Sequence, residues 1–317
     1  MQLSIVIPAF NEEESLPELH QWITEVMQKN NFTYEVIFVD DGSKDKTWGI
    51  IEELAQQDQH IRGIKFQRNY GKAAALQLGF QAAKGEVVVT MDADLQDSPE
   101  EIPEMCRMIV EDKFDLVSGW KQKRFDPITK TIPTKIYNGV TRMMSGIELH
   151  DMNCGLKAYH RDVIKSIEVY GDMHRYIPVL AKKAGFNKIG EKVVQHQARK
   201  FGVTKFGMER FINGPLDLMS VLFMTRFGKR PMHVFGFLGG LMFMLGFLFT
   251  FWVLLEKALY VFWQIGLKPT LVTDNVIFYL ALVAMLMGTQ LFLAGFLGEL
   301  VVRSAPDRND YLVEKQL

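Results

Sequence analysis

Val87-Val88-Val89-Thr90-Met91-Asp92-Ala93-Asp94-Leu95-Gln96-Asp97 is the stretch from which the fold class and the chemistry are read. The valine run reads as a buried strand. If the chain stays extended just beyond it, Asp92, Asp94 and Gln96 stand at i, i+2 and i+4, and their side chains leave on one face. Three oxygen-bearing groups then converge on one point. Hard cations take oxygen ligands, and Mg²⁺ is commonly held by one or two carboxylates together with substrate phosphates. A nucleoside diphosphate is the natural other half. Asp-x-Asp also occurs in ordinary surface turns, so its place matters: ligands of open α/β sheets bind at the carboxyl ends of strands.

The flanking sequence repeats this pattern. Leu3 to Ile7 is a short apolar strand followed by Pro8, Asn11, Glu12 and Glu14. Asn11 with Glu14 predicts a capping-box helix start, and Leu16, Leu19, Ile23, Val26 and Met27 give that helix an apolar face. Tyr34 to Val39 is a second strand ending in Asp40-Asp41-Gly42-Ser43, with a helix from about Lys46 to Gln57. A third strand, Ile61 to Phe66, leads through Gly71-Lys72 into an alanine-rich helix. A phosphate loop would need glycine at position 66 and a hydroxyl residue at 73, where Phe66 and Ala73 stand, so Lys72 is left near a phosphate or as a helix cap. After the helix that opens at Pro99, Asp115 to Gly119 is a fifth strand. Strands alternating with helices predict an α/β domain with a mainly parallel sheet covered on both faces, its acidic strand ends sharing one rim.

Beyond the sheet comes a basic run, Lys121, Lys123, Arg124, Lys130 and Lys135, which is either a solvated loop or a cover for phosphate. A helix is expected over Tyr137 to Met144, then His150-Asp151-Met152-Asn153-Cys154-Gly155 and a short strand around Leu156 to Tyr159. Asp151 is the third acid of interest. Met173 to Gly185 reads as a helix, and Lys192 to Gln197 as a strand that delivers Arg199, Thr204 and Lys205.

Val234 to Leu255 and Val276 to Gly298 contain no charged residue. Each run is about 22 residues, roughly 33 Å as a helix, enough to cross a bilayer core. Two transmembrane helices are expected, and Arg226, Lys229, Arg230, Arg303 and Arg308 outside them place both termini in the cytoplasm by the positive-inside rule. The segment before them, with Phe211, Ile212, Leu216, Leu218, Met219, Leu222 and Phe223, suits a helix lying in the headgroup plane. Gly236 and Gly240 form a G-x-x-x-G pair, read either as packing between subunits of a homo-oligomer or as glycine tolerated in a membrane helix. The expected organisation is a cytoplasmic domain over 1–205, interfacial helices over 206–231, the two spans over 232–303 and a cytoplasmic tail over 304–317. A net charge of −1 points to no nucleic-acid partner. Two cysteines, Cys106 and Cys154, are too few for a disulfide framework, and Cys154 is read as a packing residue rather than a nucleophile. The first residues enter a strand pattern directly, and no signal peptide is expected.

The motifs Ser4-Ile5-Val6-Ile7-Pro8-Ala9-Phe10-Asn11-Glu12, Val39-Asp40-Asp41-Gly42-Ser43 and Asp92-Ala93-Asp94-Leu95-Gln96 stand in one order. That order resembles the inverting family-two nucleotide-sugar glycosyltransferases with the A-type fold. Asp151-Met152-Asn153-Cys154-Gly155-Leu156-Lys157-Ala158-Tyr159 and the paired terminal spans resemble the polyprenyl-phosphate branch, the relatives of dolichol-phosphate mannose synthase and of the bactoprenol glucosyltransferases. The resemblance implies that Pro8, Asn11, Glu12 and Asp41 hold the donor nucleotide. It implies that Asp92, Asp94 and Gln96 meet a divalent cation, Mg²⁺ or Mn²⁺. Lys121, Arg124 and Lys135 would take the lipid phosphate, with Arg199 and Lys205 closing on phosphate from the other side. Asp151, the family-like base, would instead position acceptor or donor, because a phosphate monoester is mostly ionised already at neutral pH. The implied reaction moves one hexose, UDP-glucose being the expected donor, onto undecaprenyl phosphate at the cytoplasmic face of the inner membrane. Other donors, GDP-mannose or an amino-sugar nucleotide, and an inactive nucleotide-binding scaffold remain the alternatives. No Gln-x-x-Arg-Trp motif is present, which argues against chain polymerisation.

Overall fold

Runs such as Val87–Thr90, four consecutive buried residues, require cover on both faces of a sheet. That cover is present in the computed structural model, which describes residues 2–122, 138–139, 141–143, 145–171, 173–198, 200–201, 231–265 and 270–304. The chain divides into two units, Met1–Leu222 and Phe223–Leu317.

The described part of the first unit contains β1 (Gln2–Ala9), β2 (Thr33–Asp40), β3 (Ile61–Lys65), β4 (Val87–Thr90), β5 (Leu116–Trp120), β6 (Lys157–His160) and β7 (Ile189–Val193). They form one sheet in the order β3-β2-β1-β4-β6-β5-β7. β1 lies parallel to β2 and β4, β2 to β3, and β5 to β7. β6 runs antiparallel to both β4 and β5, so these two strands are separated by one that comes later in the chain. The sheet is therefore mixed but mostly parallel.

The helices are α1 (Leu16–Lys29), α2 (Thr47–Gln57), α3 (Lys72–Ala82), α4 (Ile102–Val110), α5 (Arg161–Lys165) and α6 (Ile177–Lys183). Strand alternation sorts the core into two layers. Ile5, Ile7, Val36, Phe38, Val87 and Val89 pack with α1, α2 and α4. Val6, Ile37, Val39 and Val88 pack with α3, α5 and α6 on the other face. On α4, Ile102, Met105, Cys106 and Ile109 are buried at helical spacing. Burial pushes the thiols of Cys106 and Cys154 up to about 12, which keeps both protonated and suits the packing role read for Cys154.

Three local expectations are corrected. α1 begins at Leu16 without a side-chain cap, so Asn11 and Glu14 form no capping box. Asn11 instead takes a left-handed conformation (φ 52°), donates its N–H to Ser43 Oγ at 2.9 Å and accepts from Lys44 N–H at 2.9 Å. The loop's polar groups are thus satisfied by the β2–α2 loop rather than by the helix end. The helix expected from Met173 is divided into a 3₁₀ turn, Met173–Tyr176, and α6, because Pro178 enters at the helix start where its missing N–H costs nothing. β7 ends at Val193, four residues short of the expected strand end.

In the second unit, α7 (Pro231–Trp263) and α8 (Val276–Ser304) pack against each other. Both contain windows with mean hydropathy 2.2, and both are long and apolar enough to cross a membrane. α7 continues past the charge-free run through Glu256 and Lys257, and its 33 residues are longer than a bilayer core requires. Within the chain the closest approach is made at other glycines than Gly240. A Cβ on Gly239 would lie 2.5 Å from Gly288 O, and one on Gly246 would lie 2.5 Å from Ala281 O, whereas one on Gly240 would meet nothing within 4 Å. Small residues let helix backbones touch where no hydrophobic driving force separates lipid from protein.

Candidate active site

The acidic loop leaves β4 with alternating exposure: Met91, Ala93 and Leu95 are buried while Asp92, Asp94 and Gln96 reach solvent. The backbone that achieves this is not extended. Residues 93–95 turn, and Leu95 adopts φ 61°, a left-handed conformation rare for leucine. The expectation of one extended face is thus replaced by a wound loop whose apolar members anchor it in the core. Strain of this kind collects at functional sites. Gln96 N–H donates to Asp94 Oδ1 at 3.2 Å, which ties two of the predicted ligands together.

Lys72, the first residue of α3, donates to Asp92 Oδ1. Burial opposes the charge on Asp92, but the Lys72 ammonium, helped by Lys121, holds its carboxyl at about 2. Asp92 is therefore ionised at neutral pH, with about a third of its side chain exposed.

The Asp151–Gly155 loop is seated directly on this carboxylate. A Cβ on Gly155 would lie 2.6 Å from Asp92 Oδ2, so only glycine permits the contact. Thr90 Oγ1 donates to Gly155 O at 3.0 Å and completes the link to β4. Asp151 is buried, its Oδ1 accepting from Asn153 N–H at 3.1 Å and its carbonyl from Ser118 Oγ at 3.3 Å. Lys157, at the start of β6, is buried beneath the loop and donates to Cys154 O. Burial lowers the Lys157 ammonium from its ordinary value despite the nearby Asp151 and Asp92. Lys121, just past β5, pairs with the buried Asp97 at 2.6 Å. Burial again opposes the charge, and the Asp97 carboxylate raises the lysine above its ordinary value. An Asp97–His196 bridge and Gln197 N–H to Gln96 O at 3.0 Å bring the segment before position 199 against the acidic loop.

On the β1–β2 side, Pro8 extends past the last β1–β4 pair, where a missing N–H breaks no ladder. Asp41 accepts from Tyr70 N–H at 2.7 Å and Gly71 N–H at 2.9 Å, yet burial still raises its carboxyl above the ordinary value. Gly42 (φ 72°) lets the loops meet, since a Cβ there would lie 2.7 Å from Asn69 N. Glu12 N–H donates to Thr47 Oγ1 at 2.8 Å, placing Glu12 beside Asn11 on the same edge. The carboxyl ends of β1, β2 and β4 thus gather Pro8, Asn11, Glu12, Asp41, Asp92, Asp94 and Gln96 on one rim, with Lys72 and Asp151 attached to it. Arg124, Lys135, Arg199, Lys205 and the expected interfacial helix lie outside the described residues.

Three contributors escaped the sequence reading: Gly155 as the seat for Asp92, Lys157 beneath the loop, and His174. Burial, together with Lys72 and Arg175, pushes the His174 imidazole well below its ordinary value, so it is neutral at neutral pH. A lysine at a strand start and a histidine beside a helix carry no local signature; only the insertion of β6 brings them here. Among the described residues no three His, Cys, Asp or Glu side chains cluster as a complete metal cage. Two carboxylates and one amide, with a carboxylate already holding a cation, fit a hard divalent ion that takes its remaining ligands from phosphate and water.

Residues 4–168 match the family Glycosyl transferase family 2. The chain is 35% identical over 307 residues to a dodecaprenyl-phosphate galacturonate synthase of Rhizobium johnstonii, covering 96% of this chain and 88% of the relative. It is 33% identical over 308 residues to an undecaprenyl-phosphate 4-deoxy-4-formamido-L-arabinose transferase of Shewanella sediminis, with coverage of 96% and 88%. Glucosyl-3-phosphoglycerate synthase of Mycobacterium tuberculosis, solved with Mg²⁺ and uridine diphosphate, shares the fold at TM-score 0.55 and 18% identity, over 71% of this chain and 79% of that one. The same enzyme solved with Mn²⁺ and UDP-glucose superposes at TM-score 0.54 and 20% identity, over 71% and 78%.

Proposed function

The chain belongs to glycosyl transferase family 2, and from that premise we propose that it transfers one glycosyl group from a nucleotide sugar to polyprenyl phosphate, with inversion, at the cytoplasmic face of the inner membrane. The observation that carries this reading is the seating of Gly155 on Asp92: it joins the Asp151 loop, the acceptor side, to the carboxylates of the donor side. The names of the similar relatives support a polyprenyl phosphate acceptor, and two long apolar helices support a membrane anchor beside such a lipid.

In this reading the nucleoside lies by Pro8, Asn11, Glu12 and Asp41. Asp92 and Asp94, with Gln96, would hold a divalent cation, which when bound neutralises charge on the departing diphosphate. Lys72, at the amino end of α3, turns from Asp92 to the diphosphate, where helix N–H groups already favour an anion. Lys121, Arg124, Lys135, Arg199 and Lys205 are assigned to phosphate, the first on the Asp97 side of the loop. The phosphate oxygen of the lipid forms the new bond to the anomeric carbon as the bond to the diphosphate breaks, and its electron pair leaves with the nucleotide. Asp151 orients the reacting groups and need take no proton, because the phosphate is already largely ionised. UDP-glucose was the donor expected from sequence; the relatives' names favour a uronate or a formamido-pentose, and both stand in the same panel.

The test is turnover of purified full-length protein in detergent with Mg²⁺ and undecaprenyl phosphate, against nucleotide-linked glucose, galacturonate, 4-deoxy-4-formamido-L-arabinose and mannose. Released nucleotide and glycolipid are read together. Lipid-dependent release with one donor, abolished in Asp94→Ala, is expected. Absence of lipid-dependent release with every donor, in protein that still binds nucleotide, overturns the acceptor assignment.

A further inference from the structure

The loop that carries Asp151 is tied down by a single row of side chains. Thr90 of β4 pairs with Lys157 of β6, Lys157 with Ser118 of β5, and Ser118 with Glu191 of β7, so the four residues lie side by side across four strands. Directly opposed residues share a face of the sheet. Two positions away on each strand, on the side remote from the acidic loop, Val88, Tyr159, Leu116 and Ile189 pack on the face covered by α3, α5 and α6. The row is therefore the first polar step past an apolar one on that face.

Each member of the row holds a different point of the loop. Thr90 Oγ1 donates to Gly155 O at 3.0 Å, Lys157 Nζ to Cys154 O, and Ser118 Oγ to Asp151 O at 3.3 Å. Glu191 Oε2 accepts from His150 N–H at 2.7 Å, and its Oε1 pairs with His150 Nδ1. Loop positions 155, 154, 151 and 150 thus follow the strand order β4, β6, β5, β7. Trp120 stacks on the His150 ring with centroids 4.1 Å apart, and Asn138 Nδ2 donates to His150 O at 2.9 Å, which fixes the far end of the loop. Lys157 is the costly member of the row. A buried ammonium needs acceptors around it, and this one, 3% exposed, holds the carbonyl next to the point where Gly155 meets Asp92. An apolar side chain would fill the same space; the ammonium adds a hold on the loop.

We propose that the row Thr90, Lys157, Ser118 and Glu191 is a clamp that sets the Asp151 loop against Asp92, with Lys157 and Glu191 as positioning residues for glycosyl transfer. This rests on the reading above, in which the loop is the acceptor side and Asp92 the donor side. Asp92 stands two residues beyond Thr90 and Gly155 two residues before Lys157, so the row lies one pleat below the contact that joins the two sides. Both residues act through the loop. What they set is the distance and angle between acceptor and anomeric carbon, which governs turnover and leaves nucleotide binding alone.

The experiment compares wild type, Lys157→Met, Glu191→Leu and Glu191→Gln as full-length protein with Mg²⁺, undecaprenyl phosphate and the donor that wild type turns over. Calorimetry with the nucleoside diphosphate that wild type releases gives affinity and the number of intact sites. Cys154 lies in the clamped loop and Cys106 on α4, both buried, so iodoacetamide labelling read by mass spectrometry reports loop opening against a reference in the same molecule. Lys157→Met is expected to lower kcat about a hundredfold, the scale of a misplacement of about 1 Å. Glu191→Leu is expected to lose roughly tenfold, the scale of one hydrogen bond, and Glu191→Gln to recover most of it, since an amide oxygen still accepts from His150 N–H. Nucleotide affinity and site number stay unchanged, while Cys154 in Lys157→Met labels roughly tenfold faster relative to Cys106, as local opening requires. Equal acceleration at both cysteines, a kcat loss that follows the number of nucleotide sites, or normal turnover in both Lys157→Met and Glu191→Leu would overturn the clamp and leave the assigned reaction standing. A wild type without lipid-dependent release removes that reaction, and this inference with it.

Discussion

The two ends of the sheet are built from the same kinds of residue and behave oppositely. At the amino end, Glu35 of β2 accepts from Ser4 Oγ at 2.6 Å, Arg62 Nη1 at 2.6 Å and Lys84 N–H at 2.8 Å, while Ser4 Oγ accepts from Gly85 N–H at 2.8 Å. None of these side chains leaves a buried polar atom over. At the carboxyl end, Asp40 Oδ2, Asn153 Oδ1 and His174 Nδ1 are buried without hydrogen-bond partners among the described residues. A closed network holds β1, β2, β3 and the end of α3 together; the open one leaves buried polar atoms unpaired among the described residues. Burial and charge density alone do not separate a structural cluster from a functional one. The state of the last lone pair does.

Substitutions at the open end should remove turnover and spare the fold. Asp92→Asn keeps the shape of the side chain but removes the charge paired with Lys72, and is expected to lower turnover by about a thousandfold through lost charge stabilisation, with melting temperature little changed. Near-normal turnover would break the comparison, because Asp92 would then belong with Glu35. Gly155→Ala is expected to cost about a hundredfold, since the new methyl displaces the Asp92 carboxylate and a displacement of about 1 Å carries a penalty of that order. Steady-state kinetics should place that loss in kcat more than in the apparent affinity for lipid.

The closed end should answer in stability. Glu35→Ala removes the carboxylate that Arg62, the Ser4 hydroxyl and Lys84 N–H share, a loss of about 3 kcal/mol, read as a lower melting temperature with turnover within about twofold of wild type at permissive temperature. Acid sharpens the contrast. Burial opposes ionisation of Glu35, but Ser4, Lys84 N–H and Arg62 outweigh it and hold the carboxyl below its ordinary value of 4.5. The stabilisation is therefore complete above that value and is lost as pH falls through the lower folded value. Wild type should lose part of its stability in that interval, and Glu35→Ala should show a flatter acid limb. Equal slopes in the two proteins would mean that Glu35 is not the group responsible.

Much of the molecule was legible from local pattern. The unbroken valine run, the acids just past β2 and β4, the periodic apolar face of α1 and the two long charge-free runs are each local patterns, so α/β architecture and the terminal pair of apolar helices follow from order and spacing. Asp92, Asp94, Gln96 and Asp41 were legible for the same reason, each standing just past a strand end. The capping box at Asn11 was misread because its backbone N–H donates to Ser43 Oγ and its side chain accepts from Lys44 N–H, partners more than thirty residues away. Which glycines let the two long helices touch within one chain depends on the rotation of each helix, and Gly239, Gly246 and Gly288 were selected.

By itself, the sequence determined most of the strands, the helices and the two long apolar helices, and which acids end at the sheet's carboxyl edge, because those properties depend on neighbours within a turn or two. Only the tertiary structure decided that β6 enters antiparallel between β4 and β5. That insertion carries Gly155 onto Asp92, Lys157 beneath the Asp151 loop and His174 to the same end of the rim. No local period encodes it, since strand order is chosen by which edges and faces remain to be covered once the whole chain has collapsed.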